Sequence, residues 1–254
     1  MNNKENKSKF ERRSLFILDD NTLAQSIDAS ADKATAASDF LFLIDCTRTM
    51  EWVINTLVDT ILEVVEIFDA DGLRMRYGVV EFRDQLRDLE SIRMIHHEFN
   101  GSHFTNDAKI LRKCLKTLQA KGGGPPKESI FDAIKIGLEQ SDWRNDASKF
   151  VVILTDSEGP ILNDHFVKGW KECISIIETA EIDMLHVVRR AEWKKAFVNF
   201  SQIEGKGGED LAVFIHDIGE KETAQNELKK VLQGIGYSSR KKARSVLNKK
   251  RFRE

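Results

Sequence analysis

The stretch Phe40-Leu41-Phe42-Leu43-Ile44 constrains the fold most, because an unbroken run of large apolar residues leads straight into Asp45-Cys46-Thr47-Arg48-Thr49. A run this short and this apolar fits a strand buried on both faces of a parallel sheet, where alternation is lost because neither side meets water. In open α/β sheets, ligands collect at the carboxyl ends of such strands, where strand order reverses. Chemistry is therefore expected where the run turns polar.

Asp45, Thr47 and Thr49 are spaced two apart, so in extended backbone their side chains project to one side and converge. One carboxylate and two hydroxyls suit a hard divalent cation, Mg²⁺ or Mn²⁺, which takes roughly six oxygens and leaves places for water or a ligand. Held by a single direct carboxylate, the ion would keep positive charge and attract an acid supplied by a partner. The same residues also read as ordinary loop and cap chemistry, with Thr49 accepting a bond from the first turn of a following helix.

The rest of the chain supplies the context of a doubly wound α/β fold. A long, heavily buried helix is expected from Met50 to Asp69, closed by the turn residues Asp69-Ala70-Asp71-Gly72. Strands follow over Leu73–Phe82 and about Ile92–Phe99, and their short connection makes them an antiparallel hairpin at one edge of the sheet. Asn106–Ala120 shows helical spacing, Gly122-Gly123-Gly124-Pro125-Pro126 forbids helix, and a second helix carries Ile130, Ile134 and Leu138 on one face.

Phe150–Leu154 is another apolar strand, ending in Thr155-Asp156-Ser157. It repeats the design of the opening stretch, and adjacent strands would bring Asp45 and Asp156 together. Beyond it, helices over Phe166–Ala180, Glu192–Ile203 and Lys221–Leu232 alternate with strands over Met184–Val188 and Leu211–Ile215. The expected architecture is a mostly parallel six-stranded sheet with one antiparallel edge strand and helices on both faces.

At 254 residues the chain has room for one core of about 200 residues plus tails. The expected organisation is an N-terminal extension over 1–37, partly flexible, a folded domain over 38–236 and a tail over 237–254. In the tail Arg240, Lys241, Lys242, Arg244, Lys249, Lys250, Arg251 and Arg253 face only Glu254, although the whole chain carries a net charge of −2. Such a tail is a solvated end or a contact for an acidic surface or nucleic acid.

No apolar stretch reaches the roughly 20 residues of a membrane span. Met1–Arg13 does not resemble a secretory signal, so a cytoplasmic protein is expected. Cys46, Cys114 and Cys173 are widely spaced and fit reduced thiols better than disulfides or a zinc site. Adjacent His96 and His97 face opposite ways on an edge strand and make a poor chelating pair. His186 and His216 sit in or beside core strands and suit a structural hydrogen bond, and no Ser/His/Asp or Cys/His arrangement stands out. The glycine-rich loop lacks the Gly-Lys-Ser/Thr ending of a Walker phosphate loop.

The order of elements, together with Asp45-Cys46-Thr47-Arg48-Thr49 and Asp156, resembles the von Willebrand factor A domain over about residues 38–236. The first motif matches that family's Asp-x-Ser/Thr-x-Ser/Thr metal-ion-dependent adhesion site, and Gly122-Gly123-Gly124-Pro125-Pro126-Lys127-Glu128-Ser129 resembles its second loop. The resemblance implies that Asp45, Thr47, Thr49 and Asp156 hold Mg²⁺ or Mn²⁺, the last directly or through water. Gly124 stands where many members place a threonine ligand, which leaves Ser129 or Glu128 as substitutes.

The function implied is a metal-dependent protein-interaction module, an adaptor or regulatory subunit and not an enzyme, that binds an acidic residue of a protein partner. By family analogy that partner belongs to an ATPase or kinase system. The alternatives are a metal-free scaffold of the same fold and a metal-dependent phosphoester hydrolase using Asp45 and Asp156.

Overall fold

The computed structural model describes residues 37–70, 74–84, 94–124, 127–202 and 212–219, with helical residues at 226–227, 229–231 and 233–234. The N-terminal extension through residue 36, the basic tail, and Pro125-Pro126 lie outside the described residues.

Strand β1 (Ala37–Asp45) is buried along its whole length. Its parallel neighbours are β2 (Arg74–Phe82) and β5 (Ser148–Leu154). Beyond β5 run β7 (Met184–Arg190) and β8 (Ala212–Ile218), also parallel. The short β3 (Met94–His96) is antiparallel to β2 at the opposite edge. Together they make a six-stranded sheet of order β3-β2-β1-β5-β7-β8, with β1 in its interior. The expected doubly wound, mostly parallel sheet with one antiparallel edge strand is therefore the observed one.

Each face of β1 feeds a separate core, which explains why its sequence shows no alternation. Phe40, Phe42 and Ile44 pack with α1 (Ile54–Ala70) and α2 (Ala108–Leu115). Leu41 and Leu43 pack with α3 (Ile130–Gln140) and α4 (Trp170–Thr179) on the other side. Helix α3 approaches the sheet so closely that a Cβ at Gly137 would lie 2.7 Å from a Leu41 methyl. Burial of these side chains, at roughly 1.5–3 kcal/mol each, is the main force holding the layers together.

Several helices are shorter than expected, because polar side chains capture the backbone at their ends. The Asp107 carboxylate accepts from the amides of Lys109 (2.7 Å) and Ile110 (3.3 Å), so α2 begins at Ala108, not Asn106. The Asp132 carboxylate takes the amides of Phe166 and Val167, which holds that segment in a loop, so α4 begins at Trp170. The segment Ala191–Gln202 is 3₁₀ helix broken at Trp193, in place of the expected α-helix. The long first helix is likewise preceded by a 3₁₀ turn, Arg48–Trp52.

Paired strands β1 and β5 align Ile44 with Leu154, so the chain leaves both at the same end of the sheet. A two-stranded parallel ladder between β4 (Lys127–Glu128) and β6 (Gly159–Pro160) ties the glycine-rich loop to the loop after β5 at that end. Among the described residues, no helix is long and apolar enough to cross a membrane.

Candidate metal centre

Asp45 ends β1 and is 0% exposed. Its Oδ1 accepts from the Thr47 hydroxyl at 2.7 Å and the Thr47 amide at 2.9 Å, and its Oδ2 accepts from the Thr155 hydroxyl at 2.6 Å. Thr47 Oγ1 lies 3.0 Å from Thr49 Oγ1, and the Thr49 hydroxyl donates to Asp156 Oδ1 at 2.9 Å. The four residues singled out by spacing thus form one continuous chain of oxygens across the tips of β1 and β5. Thr47 precedes the 3₁₀ turn without capping it through its side chain, and the Thr49 hydroxyl contacts Thr47 and Asp156 from within that turn.

The proton count in this chain is short by one. Either hydroxyl can donate in the 3.0 Å Thr47–Thr49 contact, so with both carboxyls ionised two hydroxyl hydrogens are shared among three oxygen–oxygen contacts. A cation or an added proton relieves that shortage. Oxygens occupying adjacent corners of an octahedron around Mg²⁺, at 2.0–2.1 Å from the ion, stand about 2.9 Å apart. The successive spacings of 2.7, 3.0 and 2.9 Å match that edge length. The oxygens are of the type a small hard cation takes, at spacings that ordinary hydrogen bonds also give.

Electrostatics agree with the donor count. Burial, and then the neighbouring Asp156 charge, push the Asp45 carboxyl from its ordinary 3.8 up to about 6, against hydrogen bonds from Thr155 and Thr47. Burial also raises Asp156, opposed by hydrogen bonds from Thr49 and Trp52 and by the Arg190 charge. Two carboxyls that resist ionisation side by side are what a site looks like when its counter-charge comes from outside the chain. Among the described residues no three His, Cys, Asp or Glu side chains converge as a cage, so any ion here relies on hydroxyls and water for the rest of its shell.

The glycine-rich loop closes over this chain. Lys121 donates its amide to Cys46 O at 2.9 Å, and the Arg48 amide donates to Gly122 O at 3.2 Å. Gly123 has φ +84°, and a Cβ there would lie 2.9 Å from Thr47 Cβ and 3.3 Å from Glu128 Oε1. Only glycine permits that approach. Glu128 consequently stands beside Thr47 across Gly123, whereas Ser129 turns to Asp164, donating to its Oδ1 at 3.2 Å. Gly124 contributes no side chain.

Three features escaped the sequence reading. Thr155 immediately precedes Asp156 yet bonds Asp45, the carboxylate of the neighbouring strand. Trp52 reaches Asp156 from the 3₁₀ turn. Arg83 is buried at the end of β2; its Nε donates to the carbonyls of Cys46 (2.9 Å) and Lys121 (3.0 Å), and its terminal nitrogen donates to Gln119 O (2.8 Å) and Glu81 (2.9 Å). It joins both site loops from beneath. Cys46 points into the apolar core, where burial raises its thiol well above the ordinary value.

The expected histidine roles also become visible. His96 stacks on His103 while His97 bonds Glu81 at 2.7 Å, so the two face apart. His186 Nδ1 and His216 Nε2 share a hydrogen bond of 3.1 Å. Compared with protein-family models and with curated proteins, the chain matches none, and the assignment of this site rests on its own geometry.

Proposed function

We propose that this chain is a metal-dependent protein-interaction module of the von Willebrand A type, cytoplasmic and acting as an adaptor or regulatory subunit. Asp45, Thr47, Thr49 and Asp156 hold Mg²⁺ or Mn²⁺, and an acidic side chain of a protein partner completes the shell. When bound, the ion supplies positive charge that draws in the partner's carboxylate. The chain's own residues fix the geometry: Thr155 orients Asp45, Trp52 orients Asp156, and Arg83 holds the two loops together. The observation that carries the reading is the oxygen chain from Asp45 through Thr47 and Thr49 to Asp156, with, among the described residues, no cation in direct contact.

Thermal unfolding in Mg²⁺, Mn²⁺ and EDTA tests this. A ligand bound only to the folded state at about a hundred times its dissociation constant adds roughly 2.7 kcal/mol. The expected result is a raised midpoint in metal that Asp45→Ala abolishes. Equal midpoints in EDTA and in millimolar Mn²⁺ would reject the metal site.

A further inference from the structure

Beneath the candidate metal centre, Arg83 is one link of a longer chain. Its Nε donates to Cys46 O and Lys121 O, and Cys46 O also accepts the Lys121 amide at 2.9 Å. Cys46 O lies in the same rigid peptide plane as the Thr47 amide, which donates to Asp45 Oδ1 at 2.9 Å. That plane is therefore held at its carbonyl end by Arg83 and at its amide end by Asp45. Through Lys121 O the same Arg83 nitrogen holds the glycine-rich loop.

Arg83 is held in turn by Glu81, which is 5% exposed and accepts from the Arg83 terminal nitrogen through Oε2 at 2.9 Å. The other carboxylate oxygen, Oε1, lies 2.7 Å from His97 Nε2. Burial opposes ionisation of Glu81, but the hydrogen bonds from His97 and Arg83 outweigh it and hold the carboxyl below its ordinary 4.5. An ionised carboxylate only accepts, so His97 Nε2 carries the hydrogen. His97 follows β3 at the edge of the sheet with its side chain 19% exposed. Its amide donates to Val79 O at 3.0 Å and its carbonyl accepts from His103 Nδ1 at 3.1 Å, which fixes where the ring stands.

The division of Glu81 between two donors matters for Arg83. A guanidinium and a carboxylate favour two parallel bonds. With Oε1 occupied by His97, Glu81 meets Arg83 through Oε2, and Arg83 keeps N–H groups turned to the carbonyls of Cys46, Lys121 and Gln119. Removal of the imidazole leaves Oε1 of a buried carboxylate without that donor and draws Arg83 toward the bidentate pairing, away from the carbonyls.

We infer that His97 is a positioning residue for the metal centre: by holding one oxygen of Glu81 it keeps Arg83 on the carbonyls of Cys46 and Lys121, and so sets how the first loop and the glycine-rich loop meet around the ion. The inference rests on the proposed metal reading and extends it to a side chain beside β3, two strands away from β1.

Titration of Mn²⁺ into the full chain, followed by the paramagnetic resonance of the free ion, tests this on His97→Ala, His97→Gln and the control His96→Ala, each with its unfolding midpoint in EDTA. His96 stacks on His103 and bonds Ser141, so its loss disturbs the same edge of the sheet without removing the His97–Glu81 bond. The expected outcome is Mn²⁺ affinity about tenfold weaker in His97→Ala, unchanged in His96→Ala, and restored to within about twofold of wild type in His97→Gln, whose amide supplies a neutral donor to Oε1. Wild-type affinity in His97→Ala, an equal loss in His96→Ala, or no recovery in His97→Gln overturns the inference and leaves the metal reading standing. A lowered midpoint in EDTA with unchanged affinity assigns His97 to the fold alone and also overturns it. No uptake of Mn²⁺ by wild type overturns the metal reading and this inference with it.

Discussion

Strand β1 carries two fully buried carboxylates on the same side, Asp39 near its start and Asp45 at its end, and the protein treats them oppositely. Asp39 is met by two guanidiniums: Arg76 donates through Nε (2.9 Å) and a terminal nitrogen (2.7 Å), and Arg144 through Nε (2.8 Å) and its amide (2.9 Å). Among the described residues, Asp45 is met only by neutral hydroxyls and one amide. Burying a carboxylate is tolerable when a positive charge accompanies it; otherwise the group holds its proton more tightly. Among the described residues, the chain supplies that charge at one end of the sheet and not at the other. The first arrangement is structural, and the second suits a ligand site.

The largest expected effect breaks the compensated end. Asp39→Asn leaves two guanidiniums without their counter-charge and should cost about 3–5 kcal/mol in urea unfolding, equally in EDTA and in Mn²⁺. At the other end the sign reverses. Asp45→Asn keeps an acceptor for Thr47 but removes the uncompensated charge, so in EDTA near pH 7.5 it should stabilise the fold by up to about 3 kcal/mol, while losing all response to metal.

The pH dependence sharpens this contrast. The folded Asp45 carboxyl, pushed up to about 6 from 3.8, binds more protons than the unfolded chain between those values. Its contribution therefore declines as pH rises from about 4 to 6 in EDTA, and metal should suppress that decline. Burial pushes His186 down to about 3 and His216 to about 4, with opposite consequences. The unfolded chain binds their protons first, so stability from the pair is complete above about pH 6.5 and is lost as pH falls. Subtracting the Asp45→Asn profile from that of wild type cancels the histidines and isolates the carboxyl.

Smaller effects concern the supports of the site. Gly123→Ala forces a side chain into positive φ and against Thr47, and should cost about 1–3 kcal/mol, with a further loss of Mn²⁺ affinity measured by titration. Thr155→Val removes one neutral donor to Asp45 and should cost about 1 kcal/mol in EDTA. It should also move the decline of stability with pH to higher pH.

Much of this was legible because the determinants are local. The run Phe40–Ile44 announces a strand with two dry faces; Asp45, Thr47 and Thr49 do converge, but Thr49 arrives on the 3₁₀ turn Arg48–Trp52 and not on the extended backbone that the spacing presumed. The pairing of Asp45 with Asp156 followed from the repeated strand-to-acid design. The features that the sequence concealed depend on distant backbone. Arg83 acts through the carbonyls of Cys46, Gln119 and Lys121, and a carbonyl has no letter in a sequence. The start of α4 depends on amides captured by Asp132, more than thirty residues earlier. The bond from Ser129 to Asp164, thirty-five residues on, likewise has no signature in the sequence.

The most direct test of the central claim, that the uncompensated carboxylate marks a cation site, is the electron paramagnetic resonance signal of free Mn²⁺ titrated against the full chain at neutral pH. The account predicts one Mn²⁺ taken up per wild-type chain, displaced by excess Mg²⁺, and none taken up by Asp45→Asn. Undiminished uptake by Asp45→Asn, or no uptake by wild type at millimolar Mn²⁺, would contradict it.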